Sequence, residues 1–210
     1  MIDLYTWPTP NGRKVSIMLE ETGIPYSVQA IDITQGQQFE PNFLAISPNN
    51  KIPAIFDQDA GMGLMESGAI LLYLAEISGT LMPQDAQDRW QAMQWLMMQI
   101  GSVGPMLGQT HHFHRFNPGK SDYAEQRYLS ETARIYQVLD RRLNEAEFLA
   151  NSYSIADIAV WPWISRYEWQ GIEWAEYPNL LRWYKQIAKR PGVQRGYNVP
   201  HFTTEIPIPD

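Results

Sequence analysis

A proline at the mouth of a β-forming run constrains this chain more than any other single feature. The polar turn Ser47-Pro48-Asn49-Asn50-Lys51 leads directly into Ile52-Pro53-Ala54-Ile55-Phe56. Proline cannot donate to a central ladder, so Pro53 marks a turn or a sheet edge. The bond before it is a candidate cis peptide, which would turn the Ile52 N–H and C=O outward. A second stretch, Glu66-Ser67-Gly68-Ala69-Ile70-Leu71-Leu72, puts a carboxylate and a hydroxyl at a helix start. There Ser67 can cap, and the free first-turn N–H groups attract an anion. Together the two stretches suit a peptide that carries its own α-carboxylate and α-amine. The plainer reading, a turn proline and a cap serine, uses the same residues.

The first 80 residues alternate strand and helix signals. Ile2 to Thr6 reads as a strand. Thr9-Pro10 opens a helix through about Thr22, with Thr9 at the N-cap, Pro10 at the first helical position and Gly23 closing it. Val15, Met18 and Leu19 form its apolar stripe. Strands follow at Tyr26 to Ile33, 54–57 and Met62 to Met65, with a short irregular helix over 37–46 and a helix from Ser67 to Ser78. The order is βαβαββα, a small α/β domain. After Leu81-Met82-Pro83-Gln84-Asp85, everything reads as helix.

Residues 87–108 form a helix that is apolar nearly all round and needs cover on several sides. Pro105 is expected to kink it. Gly101, Gly104 and Gly108 leave room for a close helix or a ligand. A helix over Tyr123 to Asn144 carries Arg127, Arg134 and Arg141 as a basic stripe. Ser154-Ile155-Ala156-Asp157 is a capping box, flanked by Tyr153 and Ile158 at staple positions, and starts a helix to about Trp169. We read Asp157 as structural. A last helix begins at Tyr177-Pro178-Asn179 and closes at Arg190-Pro191. The tail from Asn198 either lies over the site or is disordered.

Composition excludes several functions. At 210 residues the chain holds one large domain or two small ones, and its formal charge of −7 argues against nucleic acid or an anionic membrane. Residues 90–114 lack Asp, Glu, Lys and Arg, but their glutamines and glycines rule out a membrane span. The N-terminus shows no secretory signal, so a cytoplasmic location is expected. There is no cysteine; any reactive thiol must arrive with a ligand. His111, His112 and His114 lack the spacing and companion ligands for a metal site, and no metal is expected.

On the two motifs above and Pro8-Thr9-Pro10-Asn11-Gly12, the chain resembles the cytosolic glutathione transferases over essentially all of residues 1–195. It is most similar to the bacterial nu-class and Ure2p-like branch. The resemblance implies an α/β plus all-α architecture: a thioredoxin-like glutathione-binding domain over 1–80, then an all-helical bundle over 87–210 with an irregular C-terminal tail. It implies a cis Pro53 and a glutathione site made of Gln38, Lys51, Ile52, Pro53, Glu66 and Ser67. Ile52 would meet the cysteinyl backbone, and Glu66 and Ser67 the γ-glutamyl end. It also implies a homodimer in which Arg127 reaches the neighbouring subunit's glutathione. The co-substrate would be glutathione or glutathione disulfide.

A free thiol is only about 3% thiolate at neutral pH, and lowering its pKa by two units needs about 2.7 kcal/mol. One charge-assisted hydrogen bond of about 1.5–3 kcal/mol plus a helix N-terminus is sufficient. Thr9 and Asn11, at the mouth of the first helix, are the candidates for that role. Otherwise Thr9 merely caps and Asn11 faces solvent. Many family members use Tyr or Ser at this position. In the nu-like branch, the Thr/Asn arrangement goes with reduction of small disulfides by glutathione. Conjugation of electrophiles and a non-catalytic, glutathione-binding regulator are the alternatives.

Overall fold

The computed structural model describes residues 1–209. They form two compact units, one of Met1–Met82 with Ala188–Pro207, the other of Pro83–Ile187 with Ile208 and Pro209. In the first unit, β1 (Ile2–Thr6), α1 (Pro10–Thr22), β2 (Tyr26–Ala30), α2 (Pro41–Leu44), β3 (Ala54–Asp57), β4 (Met62–Met65) and α3 (Ser67–Ser78) follow in order. The sheet runs β2-β1-β3-β4, with β1 parallel to β2 and antiparallel to β3, and β3 antiparallel to β4. This is the thioredoxin-like βαβαββα arrangement. Pro53 sits one residue before the central strand β3, where its missing N–H interrupts no ladder. β2 ends at Ala30, short of the expected Ile33, although Ile31 N still donates to Thr6 O at 3.0 Å.

The C-terminal segment Ala188–Pro207, expected with the helical domain, packs within the first unit. Arg190-Pro191 does not simply close the last helix: Pro191 opens a further one, α9 (Pro191–Gly196), when helices are numbered along the whole chain. Its partner is α1. Ser16 Oγ donates to Gly196 O at 2.7 Å, and a Cβ on Gly196 would lie 2.7 Å from the Ile17 backbone, so only glycine permits this approach. Arg13 is fully buried, donates to Tyr197 O at 2.8 Å and stacks over the Tyr197 ring at 3.6 Å. Arg190 grips Glu21 through two bonds of 2.9 and 2.8 Å. Beyond it the tail is tied down: Arg13 donates to Thr203 Oγ1 at 3.0 Å, and His201 meets Trp7 edge-on at 4.8 Å.

The second unit contains α4 (Ala86–Met98), α5 (Gly104–Thr110), α6 (Asp122–Glu145), α7 (Ile155–Ile164) and most of α8 (Pro178–Ala188). Two wide π-type stretches, Gln99–Val103 and His111–Phe116, carry the helical path beyond the expected end at 108. The first precedes Pro105, which cannot donate to the turn behind it. A Cβ on Gly104 would fall 2.8 Å from Gln99 Nε2, so this glycine serves close packing within the unit, whereas one on Gly108 would make only ordinary contact with the Trp163 ring at 3.5 Å. The capping box at α7 is complete in both directions. The helix itself stops at Ile164, five residues before Trp169, with Pro162 in its last turn.

Candidate functional site

The β1–α1 loop is shaped by Thr9 and Gly12. Thr9 caps α1 by accepting from Gly12 N at 3.2 Å. That bond uses an oxygen lone pair, and the hydroxyl proton stays available for another acceptor. Gly12 has no room for a side chain: a Cβ would fall 2.1 Å from Trp7 O and 2.5 Å from Thr6 Oγ1. Gly12→Ala is therefore expected to destabilise the protein by about 1–3 kcal/mol in urea unfolding. A cost below about 0.5 kcal/mol, within the usual range of surface substitutions, would mean that the loop yields freely.

Across from this loop lies the polar turn. Asn50, at φ 49°, donates its N–H to Ser47 O at 2.9 Å, and Ser47 Oγ donates to Lys51 O at 2.9 Å. The Ile52–Pro53 peptide is cis. Ile52 N–H and C=O make no hydrogen bond among the described residues, which leaves a donor and an acceptor for an extended peptide. Glu66 is held at φ 70°, ψ 112°, a conformation that costs a non-glycine residue energy and is typical of sites that need it. Asn49 Nδ2 donates to its Oε1 at 3.4 Å.

One expectation needs correction here. Ser67 does not cap α3: Glu66 occupies the N-cap, and Ser67 is the first helical residue. The Ser67 hydroxyl oxygen instead accepts from Lys14 Nζ at 3.1 Å, a lysine that α1 buries almost completely. Burial pushes the Lys14 ammonium down to about 7, with Glu66 pulling in the opposite direction. Periodicity offered a signal for this residue. Lys14 sits one turn before Met18, on the stripe that the apolar residues otherwise own.

Asn11, Lys51, Ile52, Pro53, Glu66 and Ser67 line one polar cavity of about 260 Å³, completed by Ser47 and Asn49 from the turn. Thr9 is two residues from Asn11 but is not in the cavity wall. Gln38 also stands outside it, half-buried, with a buried Oε1 that has no partner among the described residues. Arg127 belongs to the second unit. It is exposed on α6, where it lines a separate groove of about 610 Å³ with Met106, Tyr123 and Arg134. Arg134 is bound to Glu131 through bonds of 2.8 and 2.7 Å.

Two of the three clustered histidines are held by partners within the second unit, and His112 is exposed. His111 is buried, hydrogen-bonded to Gln170 at 2.9 Å and stacked on Trp163; burial lowers its pKa to about 4, so the ring is neutral. His114 Nδ1 pairs with Glu125 at 2.7 Å. Phe113 stacks on Tyr128, and Phe116 meets Trp169 edge-on. No helix among the described residues is long and apolar enough to cross a membrane.

Residues 1–76 match the glutathione S-transferase N-terminal domain, and residues 93–191 match the C-terminal domain of the same family. The chain belongs to the glutathione S-transferases. It is 49% identical over 197 residues to the disulfide-bond oxidoreductase YfcG of Escherichia coli, covering 91% of this chain and 92% of that protein. It is 39% identical to YghU of the same organism, also a disulfide-bond oxidoreductase, covering 93% of this chain and 73% of YghU. A Pseudomonas putida glutathione transferase with one glutathione disulfide bound per subunit superposes with a TM-score of 0.88 at 43% identity, covering 95% of this chain and 91% of that one.

Proposed function

We propose that this protein reduces disulfides with glutathione, holding the peptide in the cavity of Asn11, Lys51, Ile52, Pro53, Glu66 and Ser67. The observation that carries the reading is that cavity in a chain without cysteine. The reacting sulfur is then the ligand's own. The glutathione thiolate attacks one sulfur of the substrate disulfide, forming a mixed disulfide and releasing one substrate thiolate, which takes up a proton. A second glutathione thiolate attacks the glutathione sulfur of the mixed disulfide, releasing the other substrate thiol and glutathione disulfide. Two glutathione molecules are oxidised as one disulfide is reduced. The two Escherichia coli relatives support this chemistry, and the Pseudomonas putida complex supports glutathione disulfide as the product held.

In this reading Ile52 pairs with the cysteinyl backbone, Glu66 receives the ligand's α-amine, and Ser67 with the first α3 amides receives its α-carboxylate. Lys51 serves the glycyl end. Gln38 reaches that end only if its side chain turns toward the cavity. Thr9 donates its free hydroxyl proton to the thiolate, and Asn11 adds an amide donor. The protein works as a cytoplasmic homodimer in which Arg127 extends to the partner's glutathione.

The test is reduction of a small model disulfide by glutathione, followed through NADPH consumption by added glutathione reductase, beside a conjugation assay on the same sample. Strong disulfide turnover with weak conjugation supports the reading. The reverse makes this a conjugating enzyme, and tight glutathione binding with neither activity makes it a regulator. Glu66→Gly checks the γ-glutamyl assignment. Relief of the left-handed backbone offsets the entropy of glycine, so stability should change by less than about 1 kcal/mol. Glutathione affinity should fall at least about tenfold with the lost carboxylate. Unchanged affinity by calorimetry would remove Glu66 from the site.

A further inference from the structure

Among the described residues, Lys14 is the one buried ammonium that touches the wall of the cavity. Its side chain is 1% exposed, and Nζ lies 3.1 Å from Ser67 Oγ, bridging α1 and α3 inside the first unit. An ammonium can only donate, so the Ser67 oxygen must accept from it. The single hydroxyl proton of Ser67 is then directed elsewhere, and Ser67 itself lines the cavity beside Glu66. A buried lysine is also a poor stabiliser: an apolar side chain of similar length fills the same channel without losing hydration. We propose that Lys14 is a positioning residue of the glutathione site: from behind Ser67 it aims the hydroxyl proton into the cavity and supplies the positive charge that draws the ligand's α-carboxylate there. The inference rests on the glutathione reading above and deepens it.

Glu66 is a carboxylate whose charge acts on Lys14. On α1, Arg13 is turned to Tyr197 and Thr203, while Glu20 and Glu21 are held by Arg195 and Arg190. From α3 come Glu66 and the exposed Glu76, and Tyr73 is bonded to Asp57. From β1, Asp3 is taken by Ser27 and Gln58, and Tyr5 packs on Phe43. From α9 comes Arg195, paired with Glu20 at 2.6 Å.

The pH dependence follows. Burial holds Lys14 at about 7 in the empty site, below its unfolded value. Between the two values the native state binds fewer protons, so the empty protein gains stability as pH rises from about 7. A bound carboxylate favours the ammonium. Ligand affinity therefore moves the other way, full below that pH and falling as pH rises through it.

The experiment is calorimetric titration of the full chain with S-methylglutathione, whose sulfur cannot ionise, from pH 5.5 to 8 in two buffers of different ionisation enthalpy. Affinity is expected to fall about three- to fivefold across the range, with proton uptake on binding near pH 7.5; a carboxylate that raises Lys14 by one unit gives the upper figure. Lys14→Met is expected to bind at least about tenfold more weakly at pH 6, with a flat profile and no lower melting temperature. A wild-type profile that is flat and free of proton uptake overturns the role of Lys14, even if binding is tight. So does a Lys14→Met variant with wild-type affinity and profile. If Lys14→Met fails to fold, the wild-type uptake still decides. If the wild type does not bind S-methylglutathione at all, the glutathione reading falls and takes this inference with it.

Discussion

Thr9→Ala combined with Asn11→Ala is expected to lower disulfide turnover by about 10²–10³-fold, the scale on which a preorganised donor to a developing or resident anion acts. The geometry makes the result separable from loss of fold. In the proposed mechanism Thr9 has two jobs: its oxygen accepts from Gly12 N at 3.2 Å, and its proton is left for a thiolate. Alanine removes both, and the cap alone costs about 1 kcal/mol. Aspartate removes only the donor. Thr9→Asp is expected to keep the melting temperature, since aspartate caps at least as well as threonine, while placing a negative charge where a thiolate must form. Its turnover should be as low as that of Thr9→Ala, and the pH at which activity rises should move up. Thr9→Ser, with cap and donor both present, should stay within about threefold of wild type. Full turnover in Thr9→Asp would leave Thr9 as a cap and nothing more, and the thiolate would then depend on Asn11 and the helix N-terminus.

Asp157→Ala is expected to cost about 3–5 kcal/mol in chemical unfolding, the range for removing one side of a buried charged network. Asp157 is fully buried, and its two oxygens accept from Leu149 N at 3.0 Å, Trp183 Nε1 at 2.8 Å, Ser154 N at 3.0 Å and Ser154 Oγ at 3.3 Å. Alanine orphans all of these donors in a water-free interior. Asp157→Asn keeps the shape but turns an NH₂ toward one pair of donors, so it should recover only part of the loss. Burial pushes the carboxyl up to about 6 against the four donors, above its unfolded value of 3.8. The native state thus binds the extra proton between those values. Stability from this group is fully present below about 4 and is lost as pH rises through 6, a change of about 3 kcal/mol. Urea unfolding from pH 4 to 7 should show that slope in the wild type and a flatter one in Asp157→Asn. A wild-type stability that rises across this window would mean the donors outweigh burial.

Most of the turn, cap and box geometry, including the turn that lines the candidate cavity, was readable because its signals are local. The Thr9 cap and Pro10, the Ser47 to Lys51 turn with Pro53, and the Ser154–Asp157 box each act within about four residues, where backbone geometry ties composition to shape. Ser67 was misread for the same reason. Serine at a helix start normally caps, but the backbone of Glu66 enters left-handed and takes the N-cap, and a lysine 53 positions away claims the hydroxyl. Gln38 and Arg127 rest on the resemblance alone, and Thr9, which caps α1, does not line the cavity either.

What the amino-acid order determined by itself was the succession of strands and helices, the proline at the mouth of β3, and the absence of any cysteine in the chain, so that any reacting thiol must come with a ligand. Tertiary structure alone decided that Ala188–Pro207 return to α1, that Gly196 and Gly12 must lack side chains, and that Lys14 is buried against Ser67. Apart from that of Gly12, whose neighbours are Thr6 and Trp7, these contacts join residues from 53 to 190 positions apart. Their energy comes from close packing and desolvation, which depend on what surrounds a residue once the chain has folded, and no pattern of neighbours along the chain encodes that.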